Sequence, residues 1–260
     1  MICQQTGRNL YYELHGDRGP WVLLLHHGLG STQAWSRQIP ALVAAGFRVL
    51  AYDRWGYGRS SPRPVFPQDY LEREPEDLAN LMNSRGIRRA HLVGHSDGGT
   101  IALLFAVREP HRVQRMVLIA AHIYGEPIGR KGLEQTLARY HSDREFRSTL
   151  SAIHGPKAEL LVQNWLRLWV GEAPPELDLR ARLSKIRAPT LVVQGQEDEF
   201  ATPQQAQDIA QGIPDSQLWM VPGGRHEPHQ ERPAEFNQRM IEFLRSRSRR
   251  STRRAEARPG

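Results

Sequence analysis

Six short runs rich in Val, Ile and Leu, at 21–26, 48–52, 91–94, 116–121, 190–194 and 217–221, alternate along the chain with segments of helical length. Those segments lie at 32–45, 70–85, 98–108, 203–212 and 233–246, several opening on Ser, Thr or Pro. The runs are largely apolar rather than alternating in polarity, which marks strands covered on both faces. A strand that returns parallel to its predecessor needs a long crossover, and a helix supplies one. The expectation is a mostly parallel sheet flanked by helices. Residues 9–16 alternate polar and apolar side chains and are expected to pair antiparallel at one edge.

The alternation stops at His122 and resumes near Lys185. Between them, 131–141, 143–153 and 157–170 carry apolar residues at helical intervals, including Leu161, Trp165, Leu168 and Trp169. A Pro-rich connection at 171–178 then leads back to the sheet through a last short helix. An insertion at this point is expected to sit above the carboxyl ends of the strands, where open α/β sheets bind ligands. The expected organisation is a core of residues 1–121 and 186–246, a helical cap at 122–185, and a tail at 247–260.

Composition excludes several classes. Hydrophobic residues make up 39% and charged residues 24%, ordinary values for a globular protein. No apolar run approaches the roughly 20 residues of a membrane span, and the first residues lack the blocks of a secretory signal. A cytoplasmic location is therefore expected. The single Cys3 forms no internal disulfide, and no Cys cluster offers a zinc site. The net charge of +7 is mostly terminal, since residues 245–260 hold seven Arg against one Glu. The body is nearly neutral, so nucleic acid is not an expected partner, and the tail reads as a disordered end.

The chemistry concentrates in Gly94-His95-Ser96-Asp97-Gly98-Gly99, which follows an expected strand and opens an expected helix. A Ser on so sharp a turn adopts strained backbone geometry, so its neighbours two residues away must be Gly. The turn projects the hydroxyl outward and leaves the Asp97 N–H at a helix start, aimed at an oxyanion. Activating that hydroxyl requires a base and an anion that orients it, both from later in the chain.

These residues and their context resemble the α/β-hydrolase superfamily over nearly all of 9–245. Residues 23–30, ending His27-Gly28-Leu29-Gly30, are similar to the family's strand and HG-x-G loop. The likeness implies a sheet of about eight strands, an oxyanion hole formed by the Leu29 and Asp97 N–H groups, and a structural His27 that holds the loop through hydrogen bonds. Asp53 to Ser60 resembles the family's D-x-x-G-x-G-x-S turn, usually structural. Asp198, three residues after Gly195 at a strand end, fits the place of the acid, with Glu197 and Glu199 as the nearest alternatives. Gly223-Gly224-Arg225-His226 resembles the G-x-G-H loop, with Arg225 in place of a second Gly, and puts His226 at the base. His229 is the alternative there.

The resemblance thus implies a serine hydrolase with catalytic residues Ser96, Asp198 and His226, no metal and no cofactor. The expected reaction is cleavage of a small-molecule carboxylic ester, lactone or amino-acid ester through an acyl-enzyme. A carbon–carbon bond hydrolase, a perhydrolase-like haloperoxidase or a non-catalytic binding protein are the alternatives. Asp97 offers a carboxylate that could favour cationic amino substrates, or could bond locally in the elbow. Trp165 and Trp169 could line an acyl pocket or fill the cap core.

Overall fold

The computed structural model describes residues 1–5, 7–171 and 176–246. The basic tail at 247–260 and part of the Pro-rich connection, 172–175, lie outside the described residues. Eight strands form one sheet in the order β1-β2-β4-β3-β5-β6-β7-β8. In chain order they are β1 (Ile2–Gln5), β2 (Arg8–His15), β3 (Trp21–Leu25), β4 (Arg48–Tyr52), β5 (Ala90–His95), β6 (Val113–Ile119), β7 (Thr190–Gly195) and β8 (Ser216–Val221). The pairs β1–β2 and β2–β4 are antiparallel, and all later pairs are parallel. The short β1 had no clear sequence signal and is stabilised by its register against β2, with Cys3 opposite Leu10.

The α-helices are α1 (Ile39–Ala44), α2 (Tyr70–Ser84), α3 (Asp97–Arg108), α4 (Pro127–Ser142), α5 (Arg144–His154), α6 (Ala158–Val170), α7 (Pro203–Gly212), α8 (Pro228–Glu231) and α9 (Pro233–Arg245). The segment expected as one helix at 32–45 is two pieces, a 3₁₀ turn at Thr32–Trp35 capped by Ser31 and then α1. Pro40 accounts for the break: lacking an N–H, it fits the first turn of α1 but not the middle of a longer helix.

Strand residues divide between two cores. Leu23, Leu25, Leu50, Leu92, Met116 and Leu118 face one side, where they meet Leu78 and Leu81 of α2 and Ile101 and Phe105 of α3. Val22, Leu24, Val49, Val93, Val117 and Ile119 face the other, with Trp35, Leu42, Phe236 and Met240. This two-sided burial is why the central strands read as continuous apolar runs. Helices α4, α5 and α6 occupy the excursion between β6 and β7, and a β-bridge from Tyr124 to Asp178 joins its two ends. Among the described residues no helix is long and apolar enough to cross a membrane.

The turn from β5 into α3 packs closely on its neighbours. A Cβ on Gly98 would collide with the carbonyl oxygen of Leu25, and one on Gly94 with that of Gly98. Neither neighbour is a side chain that could swing aside. Gly98→Ala is therefore expected to destabilise the protein by about 3 kcal/mol, as overpacking against fixed atoms does. A urea denaturation midpoint indistinguishable from the parent would contradict this packing.

Candidate active site

The loops that end β3, β5, β7 and β8 carry the candidate residues to one end of the sheet. Ser96 stands at φ 52° and ψ −120°, and its N–H donates to Ile119 O at 2.8 Å. Its Oγ makes no hydrogen bond among the described residues and stays partly exposed. Asp198 and His226 are brought together: His226 Nδ1 donates to Asp198 Oδ1 at 2.9 Å and lies 3.1 Å from Oδ2. Burial pulls the His226 pKa down, but the hydrogen bond and charge of Asp198 prevail and raise it above the ordinary value. The Asp198 carboxylate also accepts the Phe200 N–H at 2.9 Å, which fixes its orientation.

The elbow and the His226 loop meet through His95, whose Nε2 donates to the His226 carbonyl at 2.9 Å and whose ring lies 4.9 Å from that of His226. With Nδ1 committed to Asp198, His226 presents Nε2 as a free base. The alternatives make other contacts. Glu197 is exposed, and Glu199 pairs with Arg225 at 3.2 Å. His229 is fully buried, its ring 4.6 Å from that of His95, 5.3 Å from Trp35 and 5.9 Å from Phe236. Arg225, the departure from the glycine pattern, has an exposed side chain paired with Glu199.

Leu29 and Asp97 are the candidate oxyanion donors. Leu29 adopts φ 59°, and among the described residues neither its N–H nor that of Asp97 is taken by a protein acceptor. The packing of Gly98 on the carbonyls of Leu25 and His26 holds the two segments side by side.

One expectation is corrected here, and one open alternative is decided. The bonds that hold the HG-x-G loop belong to His26, not His27. His26 Nδ1 donates to His27 O at 2.8 Å, and its Nε2 accepts the Arg54 N–H at 3.0 Å. The Asp97 carboxylate is also not free to meet a substrate amine. It is 2% exposed, and Oδ2 accepts from Tyr70 at 2.8 Å, Arg54 at 3.2 Å and Trp165 at 3.3 Å. Burial alone would raise its pKa, yet the Arg54 guanidinium holds it below the ordinary value, so the charge is already compensated. Trp165 belongs to that network and packs against Gly28 at 6% exposure, which makes it a structural contact. Trp169 remains partly exposed, bonded to Tyr70 at 3.1 Å, with its ring edge-on to His122.

Asp53 is likewise structural, accepting the Thr32 N–H at 2.6 Å and the Arg59 N–H at 2.7 Å.

Sequence reasoning missed His154, at the end of α5. Its Nε2 donates to Leu29 O at 2.9 Å, and its Nδ1 accepts the Gly58 N–H at 2.9 Å. Burial lowers its pKa to about 4, so the ring is neutral near pH 7 and supplies one donor and one acceptor. One side chain thus joins the helical excursion, the Asp53–Ser60 turn and the candidate oxyanion loop.

The family model for the alpha/beta hydrolase family matches residues 22–239, and the chain belongs to that family. It is 31% identical to the RutD protein of Variovorax paradoxus (strain S110), which is named for carbamate hydrolysis, over 90% of this chain and 96% of that one. It is 29% identical to the serine hydrolase BPHL of Mus musculus, over 92% and 84% of the two chains. A solved hydrolase from Pseudomonas aeruginosa PA01 superposes with a TM-score of 0.74 at 27% identity, covering 95% of this chain and 98% of that one.

If His154 positions the Leu29 peptide, His154→Phe should lower kcat for hydrolysis by about tenfold or more, because small misplacements at a reacting centre are costly. KM should stay within about twofold, and His154→Gln, which keeps a donor, should recover part of the loss. Unchanged kcat in a folded His154→Phe protein would assign His154 to packing alone.

Proposed function

We propose that this protein is a serine hydrolase that cleaves small-molecule carboxylic esters or related acyl compounds, with Ser96 as nucleophile, His226 as base and Asp198 as its orienting acid. The observation that carries this reading is the 2.9 Å bond from His226 Nδ1 to Asp198, on a loop whose His226 carbonyl is bonded by His95, the residue before Ser96. The partly exposed Ser96 hydroxyl, without a hydrogen bond of its own, is consistent with a nucleophile whose contact to the base tightens on substrate binding.

In this mechanism His226 takes the Ser96 proton as Oγ attacks the carbonyl carbon. The tetrahedral oxyanion accepts from the Leu29 and Asp97 N–H groups, whose positions are fixed before reaction. The protonated His226, stabilised by Asp198, then gives its proton to the leaving alcohol. Water, deprotonated by His226, releases the acid and restores Ser96. The helical segments α4 to α6 act as the substrate-selecting cap, with Trp169 and His122 as the side chains nearest the Asp97 network that remain partly open. Carbamates present the same planar carbonyl to the nucleophile, and a relative named for their hydrolysis supports testing them beside the esters.

An assay against p-nitrophenyl esters, lactones and carbamates tests the reading. Turnover of at least one class is expected, and Ser96→Ala should reduce kcat at least about a thousandfold while the fold is kept. Retention of full activity in Ser96→Ala would overturn the assignment.

A further inference from the structure

His27, His95 and Glu227 each offer one ligand atom, and the three atoms lie within 4.8 Å of one another. The mechanism above uses none of these three side chains. His95 is fully buried, and its Nε2 donates to the His226 carbonyl, so its Nδ1 is an unprotonated lone pair; that atom is buried with no hydrogen-bond partner. An imidazole that donates one N–H to a backbone carbonyl and keeps its other nitrogen unprotonated is in the state that metal-binding histidines adopt. His27 Nε2 stands 3.9 Å from Glu227 Oε1, beyond hydrogen-bond reach. The Glu227 side chain is 47% exposed and that of His27 25%, so the cluster opens to solvent on one side.

We propose that His27, His95 and Glu227 form a binding site for a zinc-like divalent transition-metal ion at the seam between the Ser96 elbow and the His226 loop. Two imidazoles and a carboxylate suit zinc far better than magnesium or calcium, which prefer oxygen ligands. Tetrahedral zinc with bonds of about 2.1 Å needs donors about 3.4 Å apart, so the cluster must contract by an ångström or so. The exposed Glu227 and the partly exposed His27 are the side chains free to make that movement. A fourth position remains for water. The ion bridges the residue before Ser96 to the residue after His226, and it therefore joins the two loops that hold the candidate nucleophile and base.

Isothermal titration of the full-length protein with zinc chloride, without substrate, tests the site independently of any hydrolytic activity. One ion per chain is expected with micromolar affinity, together with a rise in Tm because only the folded chain assembles the ligands. Glu227→Gln and His27→Asn should each weaken binding at least about tenfold, a ligand loss being at least as costly as a second-shell change. Ser96→Ala should bind as the parent does, and so should His141→Gln, which removes an exposed histidine elsewhere. Affinity undiminished in both ligand variants, or no binding at 100-fold excess over about 1 µM protein, would overturn the site; the excess follows from mass action.

Discussion

The Ser96 backbone occupies a left-handed conformation, φ 52°, that a residue with a Cβ adopts only when its surroundings impose it. What imposes it is packing on three sides. Strand β5 is fully buried between β3 and β6, α3 begins at the next residue, and Gly94 and Gly98 let the two backbones approach more closely than any side chain would allow. The Ser96 N–H is held by Ile119 O at the end of β6. Both layers of the core therefore stabilise one exposed hydroxyl, and the strain at the turn is offset by burial distributed over the sheet.

The same turn divides Asp97 into two parts. Its amide stands at the start of α3 with no protein acceptor among the described residues, while its carboxylate turns inward to Arg54, Tyr70 and Trp165. A buried charge of this kind is tolerated only when paired and hydrogen-bonded, and here it receives three donors. Because Trp165 lies on α6, the network fastens the helical excursion to the elbow. His154 makes a second attachment from α5 to Leu29 and Gly58. The excursion is thus tied to both segments that carry the candidate oxyanion donors, so substrate contacts made on the helices would be felt at the reacting centre.

How much of this was legible in the sequence follows from the range of the interactions. The sheet could be read because two-sided burial writes itself as continuous apolar runs, and the elbow because its glycines lie within two residues of Ser96. Asp198 and His226 could be placed because the segments that follow the last two strands resemble the family's acid and base loops. His154 could not: its partner Leu29 lies 125 residues away, and nothing around it in the chain distinguishes it from any other helix-terminal histidine. The Asp97 carboxylate was ambiguous for the same reason, since Arg54 reaches it from a turn 43 residues earlier. His26 and His27 are neighbours with opposite environments, and only the path of the loop decides which one bonds the backbone.

Activation of the Ser96 hydroxyl by His226 and Asp198, as proposed, is tested most directly by labelling the native protein with a fluorophosphonate, followed by peptide mapping. One label per chain is expected, located on Ser96, with its loss on denaturation and in His226→Ala. A native protein that remains unlabelled, or that carries the label on another residue, would contradict it.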